Sequence, residues 1–457
     1  MDSPSSEVKT ISECFVKPKT IPEKWKEPYH LSPLDLVMLS MHYIQTGLLF
    51  VKPSTTTSES KYFMETWLQR FKDSLAETLV HFYPLAGRFS TSKTDNPKSY
   101  SLFVDCNNSP GAGFIYAKSD LSVSDIVGPQ YVPLVVQSFF DHHKAVCHDG
   151  HTMSLLSLKV TELVDGVFIG MSLNHVMGDG SLLSQLFDTL SEIFNAQETN
   201  NLQLKKPPVL ERWFPKGYGP VHILPFTHPD EFISRFESPV LKERIFHFSS
   251  ETIASLKAKA NQECGTTTIS SFQSLAALMW RCITKARKLP YDEEIRCSLA
   301  ANIREKLDPP LTSNYIGNCI SALRSRTVKS GELLENDLGW AALKMHEAVT
   351  GNTSEEVSKT IDEWLKSSFV FHLEALVGLM VVHIGGSSRF KKYECEFGMG
   401  KPVAIRSGYG GKFDGKITTY IGREGGGSID LEVCLLPQFM EALESDQEFM
   451  SLVSSSS

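Results

Sequence analysis

The stretch VFIGMSLNHVMGDGSLLSQLFDTLSEIF, residues 167–194, holds two periodicities in succession. Val167 to Asn174 is a compact apolar run entered through a turn at Asp165-Gly166, which predicts a strand hairpinned to Leu155 to Glu162. From Gly180 onward, Leu182, Leu183, Leu186, Phe187, Leu190, Ile193 and Phe194 recur with helical period, which predicts an amphipathic helix. A strand that passes into a helix argues for an α/β fold. The connection carries His175 and Asp179, and side chains at such a junction can project into a cleft.

The same alternation extends in both directions. Trp67 to Val80 places Trp67, Leu68, Phe71, Leu75 and Leu79 on one helical stripe, and Pro84 and Gly87 redirect the chain after it. From Asn195 to Pro229 the pattern is lost among Pro207, Pro208, Pro215, Pro220, Pro225 and Pro229, which reads as a crossover between domains. The expected division is therefore residues 1–195, a linker at 196–229, and a second domain at 230–457. The second half repeats the theme. A strand is expected at Arg244 to Phe248, a helix from Ser271 to about Arg287, a strand near Ile295 to Ala301, and a glycine-rich β region from Lys401 onward. The halves read as pseudo-equivalent α/β units.

Composition narrows the class. The chain has 457 residues, about three domains' worth at about 150 residues each, so two large units are affordable. Apolar residues at 41% and charged residues at 21% are globular values. Lys+Arg 45 against Asp+Glu 53 gives −8, which offers a polyanion no general attraction, so nucleic acid is not expected as a partner. The nine cysteines are odd in number, dispersed and without a CxxC pair, which suits reduced thiols in the cytoplasm. The first twenty residues hold no apolar core of signal-peptide length. The longest apolar stretch, Leu373 to Ile384, is too short for about 30 Å of hydrocarbon and contains Glu374 and His383, so no membrane span is expected.

His175 and Asp179 are weak evidence as bare spacing, because chance supplies about 0.6 HxxxD matches in a chain with 14 His. Their chemistry is more informative. A neutral imidazole titrates near 6.5 and can take a proton from an attacking hydroxyl or amine without a metal. Gly178 and Gly180 oppose helix continuation, so Asp179 need not face His175. Its structural alternatives are the N-cap of the following helix and half of an ion pair. Tyr393 to Pro402, which contains Glu396-Phe397-Gly398-Met399-Gly400, reads as a sharp backbone bend against a packed surface. His142, His143, Cys147, His148 and His151 are crowded but fit no standard zinc spacing, so no metal is expected. Arg406 to Lys416 is rich in glycine without phosphate-loop spacing and reads as a β-turn region.

Taken together and in order, Tyr83-Pro84-Leu85-Ala86-Gly87-Arg88, His175 to Gly180, Ser271-Phe272-Gln273-Ser274-Leu275 and Glu396 to Gly400 resemble the motifs of the plant BAHD acyltransferases, from about Leu31 to Leu435. That family moves acyl groups from coenzyme A thioesters to alcohols or amines. The resemblance implies two chloramphenicol-acetyltransferase-like domains with mixed β-sheets flanked by helices and a tunnel at their interface. It implies His175 as general base, Asp179 turned away from substrate and paired with Arg304, and Gly180, Glu396, Phe397, Gly398 and Gly400 supporting the site. Acyl-CoA is then a co-substrate, no cofactor is bound permanently, the acceptor is a small alcohol or amine of specialised metabolism, and a cytoplasmic monomer is expected. Asn302 stands where the family usually has Asp, and Met399 replaces its tryptophan. The family's pantetheine and phosphates run beside the stretch holding Ser270 and Ser271, where a helix start offers hydroxyls and free N–H groups. Lys285, Arg287 and Lys288, or Arg389, Lys391 and Lys392, would be cations for phosphate. Two alternatives stand beside transfer: a lyase reaction in the same cleft, and a non-catalytic binding module or condensation-type domain. Ser387, Ser388 and Arg389 lack the tryptophan that members using shikimate-type acceptors carry there, which argues against that acceptor.

Overall fold

Gly166–Leu173 is buried at every position, so both of its faces are covered and its near-continuous apolar run follows. In the computed structural model, which describes residues 8–53, 57–196 and 204–454, this strand lies between Leu156–Glu162 and Ile44–Val51, antiparallel to both. Among the described residues a six-stranded sheet runs in the order Lys9–Val16, Ala112–Lys118, Leu156–Glu162, Gly166–Leu173, Ile44–Val51 and Ala404–Ser407. The helix Gly180–Ala196 buries Leu182, Leu183, Leu186, Phe187, Leu190 and Phe194 and packs with the long helix Thr57–His81. Full burial of each such Leu or Phe contributes about 1.5–3 kcal/mol before the entropy of ordering it. Residues 1–7 and 197–203, which hold the start of the first expected domain and part of the expected crossover, lie outside the described residues.

A second sheet runs Ile320–Arg324, Glu294–Asn302, Val381–Gly386, Lys416–Ile421, Ile429–Leu435 and Lys242–Phe248, with Val328–Lys329 pairing beside Glu294 and Ile295. Its central strand Val381–Gly386 is parallel to both neighbours and the outer pairs are antiparallel, so the sheet is mixed. One face presents Cys297, Leu299, Val382, Ile384, Ile417, Val433 and Leu435 to an apolar core. The helices Ser250–Glu263, Ser271–Arg287, Leu338–Gly351 and Pro437–Glu444 contribute to that core. The opposite face is polar. A three-stranded sheet of Tyr29–His30, Lys98–Asp105 and Arg88–Asp95 completes the α/β architecture of two sheet-rich units flanked by helices.

The division at residues 196–229 is not a clean cut. Ala404–Ser407, expected in the second unit, pairs antiparallel with Ile44–Val51 and closes the edge of the first sheet. The chain therefore leaves the second sheet after Gly386, adds a strand to the first, and returns at Lys416. The segment that makes the crossing is anchored by aromatic packing: the Phe397 ring is fully buried against Phe50, Phe71 and Phe194. Trp67 Nε1 donates to the Phe397 carbonyl at 2.6 Å. Ser191 Oγ donates to the Glu396 carbonyl and accepts from its N–H, both at 2.9 Å. The described part of the crossover is likewise tied down, with Leu224 and Tyr100 exchanging backbone hydrogen bonds and Val209 N donating to Asn314 O. No described helix is long and apolar enough to cross a membrane.

Candidate active site

His175 leaves the end of the Gly166–Leu173 strand and is the sole residue from Gly166 to Asp179 that keeps accessible surface. Its backbone is fixed from behind, since its N–H reaches Cys147 Sγ at 3.1 Å while Asn174 Nδ2 donates to the Cys147 carbonyl at 2.7 Å. Burial pushes the Cys147 thiol up to about 12, so that sulfur is a neutral packing atom rather than a nucleophile.

The imidazole is oriented by Asn318. Asn318 Nδ2 donates to the His175 carbonyl at 2.7 Å and to Asp35 Oδ1 at 3.1 Å, which fixes the amide so that Oδ1 faces the ring. His175 Nδ1 lies 3.1 Å from that oxygen. An amide oxygen only accepts, so Nδ1 carries the proton and Nε2 keeps its lone pair. Asp35, itself fully buried, is held by the Arg212 guanidinium at 3.2 Å and by Ser32 Oγ at 2.8 Å. Burial, the largest influence, holds the His175 pKa below its ordinary value. A hydrogen bond to its own backbone, then the charge of Asp179 and the Asn318 bond, oppose that shift, and the charge of Lys416 adds to it. The ring is neutral at physiological pH.

Asp179 turns the other way. Its carboxylate meets Arg304 in a two-point pair, Nη1 to Oδ2 at 2.9 Å and Nη2 to Oδ1 at 3.2 Å, both residues being almost wholly buried. Cys319 N and Ser181 N complete it at 3.0 and 2.9 Å. Burial works to raise the Asp179 carboxyl, and Arg304 with these hydrogen bonds holds it below the usual range instead. Asn302 Oδ1 accepts from Arg304 N at 2.9 Å and Nη1 at 3.3 Å, so the Asn keeps an acceptor there without adding charge. Arg304 also donates to the Tyr315 and Gly317 carbonyls. Gly317 has φ +141°, and a Cβ there would lie 2.4 Å from Arg212 Nη1, so the two arginine networks close around a position open only to glycine.

Of the other predicted residues, Gly180 directly follows Asp179 and the rest lie on other elements. Gly180 begins the helix, and Glu396, Phe397, Gly398 and Gly400 form the crossing segment, with φ of +73° and +74° at the two glycines. Ser270 caps the helix Ser271–Arg287 in a capping box: its Oγ accepts from Gln273 N at 3.2 Å and Gln273 Oε1 accepts from its N–H at 2.8 Å. That helix packs on the apolar face of the second sheet. Two residues expected as surface cations are buried: Arg287 pairs with Asp414 at 2.7 Å, and Lys392 lies under Tyr420. In the His/Cys cluster, His142 bonds Ser154 Oγ at 2.8 Å, His148 bonds Tyr100 OH at 2.7 Å, and His151 bonds Thr91 Oγ1 at 2.7 Å. Among the described residues no three His, Cys, Asp or Glu side chains converge as a metal ligand set.

Sequence reasoning missed Asn318, Asp35 and Arg212. No local pattern marks them, since each acquires its role through contacts between distant segments.

The model described as the transferase family matches residues 6–450 of the chain. An uncharacterised acetyltransferase of Arabidopsis thaliana is 35% identical over 97% of this chain and 99% of its own length. The BAHD acyltransferase DCR of the same plant is 30% identical over 97% and 92%. Among solved structures, F. sporotrichioides TRI101 complexed with coenzyme A and T-2 superposes with a TM-score of 0.71 at 16% identity, over 93% of this chain and 98% of that one. On a family match spanning nearly every described element, with relatives of the same length, the chain belongs to the BAHD acyltransferase family of transferases.

Proposed function

We propose that this chain moves an acyl group from an acyl-CoA thioester to a hydroxyl or amine of a small specialised-metabolism acceptor, both substrates meeting His175 in one ternary complex. In this reading His175 Nε2 accepts the acceptor's proton as its oxygen or nitrogen attacks the thioester carbonyl. The tetrahedral intermediate collapses with cleavage of the carbon–sulfur bond, and the proton returns from the imidazolium to the departing thiolate. The observation that carries the proposal is the Asn318 amide, oriented by two donated hydrogen bonds so that it takes the Nδ1 proton and leaves Nε2 free.

Asp179 acts through position: paired with Arg304, it holds the turn that presents His175. The polar face of the second sheet and the accessible edge of His175 support a tunnel between the two units as the route for both substrates. Coenzyme A would pass the start of the helix Ser271–Arg287, where free N–H groups and the Ser271 hydroxyl suit phosphate and the Ser270 hydroxyl serves as the cap. Nine free thiols support the cytoplasm, and a site completed by both halves of one chain supports a monomer.

The test is mass spectrometry of products from the purified chain incubated with an acyl-CoA panel and plant metabolite extract. Acylated products that appear with a donor and vanish without it are expected. Products formed equally well without any thioester would instead establish an elimination reaction.

A further inference from the structure

Register across the polar face of the second sheet places Ser298, His383, Lys416, Cys434 and Glu243 in one row, with Arg324 opposite Ser298 at its exposed end. Several members of that row are unspent. Ser298 Oγ and His383 Nδ1 are buried without a hydrogen-bond partner, His383 being 7% exposed. Among the described residues Lys416 Nζ has neither a hydrogen bond nor an ion pair; Glu432 is held by Ser407, and Glu243 is held by Lys412 at 2.5 Å through Oε2, its Oε1 being buried without a partner. Lys416 keeps accessible surface although protein surrounds it on every side, the pattern of a residue that lines an interior space.

The backbone makes room for this ammonium. A Cβ at Gly385 would lie 2.6 Å from Lys416 Nζ and 4.0 Å from His383 Nε2, so the amine and the imidazole share the space above a glycine. Lys416 opens its strand directly after the return loop 408–415. That loop runs along the end of the first sheet where His175 emerges, with Gly408 N bonded to Gln45 O and Gly410 N to Gln45 Oε1. Burial lowers the amine to about 8, which leaves it a cation at neutral pH, and its charge is among those acting on the His175 ring. A buried, unpaired ammonium opposes folding, and an anion from outside the chain would offset that cost.

We propose that Lys416 and His383, over Gly385, form a cationic subsite beside His175 that pairs with a carboxylate of one of the two substrates. One ammonium with a neutral donor beside it matches the single charge and two oxygens of a carboxylate. The inference rests on the reading that the His175 cleft holds donor and acceptor. The carboxylate belongs either to an acidic acceptor or to the free end of a dicarboxylic acyl chain.

The first arm is free of any turnover. Binding of benzoate and of benzamide to the purified chain is measured by calorimetry in the wild type, in Lys416→Met and in the exposed control Lys257→Met. A wild-type preference for benzoate of about tenfold or more, kept in the control and lost in Lys416→Met, is expected. Equal affinities in the wild type, or a preference unchanged in Lys416→Met, overturn the proposal, and this holds even if acyl transfer itself is disproved. Lys416→Met is nearly isosteric and removes a buried charge, so its Tm should equal or exceed that of the wild type; Lys416→Gln repeats the comparison if it does not. The second arm locates the carboxylate by kcat/KM for succinyl-CoA against butyryl-CoA, and for an acidic acceptor against its methyl ester. A loss confined to succinyl-CoA assigns the donor, and a loss confined to the acid assigns the acceptor. An equal fall in kcat across all four overturns the subsite in favour of a general role in stabilising the oxyanion.

Discussion

The His175 imidazole is oriented and kept neutral by groups drawn from distant parts of the chain. Burial disfavours the charged form of His175, so its folded pKa lies below the ordinary 6.5. The acid limb of kcat/KM should accordingly fall with an apparent pKa below 6.5, and Asn318→Asp, which sets a carboxylate against Nδ1, should move that limb to higher pH. A limb that stays in place would separate Asn318 from the titrating group. Asn318→Ala should cost about tenfold in kcat with KM little changed, the worth of about one hydrogen bond that orients the ring; steady-state rates at saturating acyl-CoA check it. His175, Asp179 and Arg304 were legible in the sequence because they sit in short motifs. Asn318, Asp35 and Lys416 were not, because their meaning lies in contacts across 143 or 283 positions of chain, or across strands whose register no local pattern fixes.

Among the elements, the two helices with strong periodicity were readable to within a few residues. Ser271–Arg287 was found where expected, and Gly180–Ala196 begins at the glycine that ends the His175 loop. Trp67 to Val80 was the C-terminal part of a longer helix, Thr57–His81, whose apolar stripe extends back to Phe63 and Met64. The glycine-rich β region expected from Lys401 supplies the strand Ala404–Ser407, so Arg406 and Ser407, expected in a β-turn, are extended, and this strand joins the first sheet where Phe397 is buried among Phe50, Phe71 and Phe194. At the start of the Ser271–Arg287 helix, capping and the proposed coenzyme A contact can be tested apart. Ser270→Ala should lower stability by about 1 kcal/mol in urea unfolding, because the Gln273 N–H loses its acceptor. Ser271→Ala should leave stability within about 0.5 kcal/mol and raise KM for acyl-CoA. An unchanged KM would remove Ser271 from the coenzyme A path.

At the scale of the molecule, the Asp179–Arg304 pair joins the loop after one sheet to the turn after a strand of the other, and it is buried on both sides. Removing one partner leaves an uncompensated charge, so Asp179→Ala should cost about 3–5 kcal/mol of stability, while Asp179→Leu combined with Arg304→Met should recover part of that loss. The pair also sets an acid limit. The folded pKa of Asp179 is depressed, so its contribution is complete above the unfolded value of about 3.9 and is lost as pH falls through the lower folded value. Urea midpoints between pH 6 and pH 3 should drop more steeply for the wild type than for the double variant. In the proposed mechanism these supports hold one ring in place, and removing that ring is its most direct trial. In His175→Ala, kcat with a proven donor and acceptor should fall by about a hundredfold to ten-thousandfold while the Tm stays at the wild-type value. A variant that folds as before and turns over at the wild-type rate would contradict it.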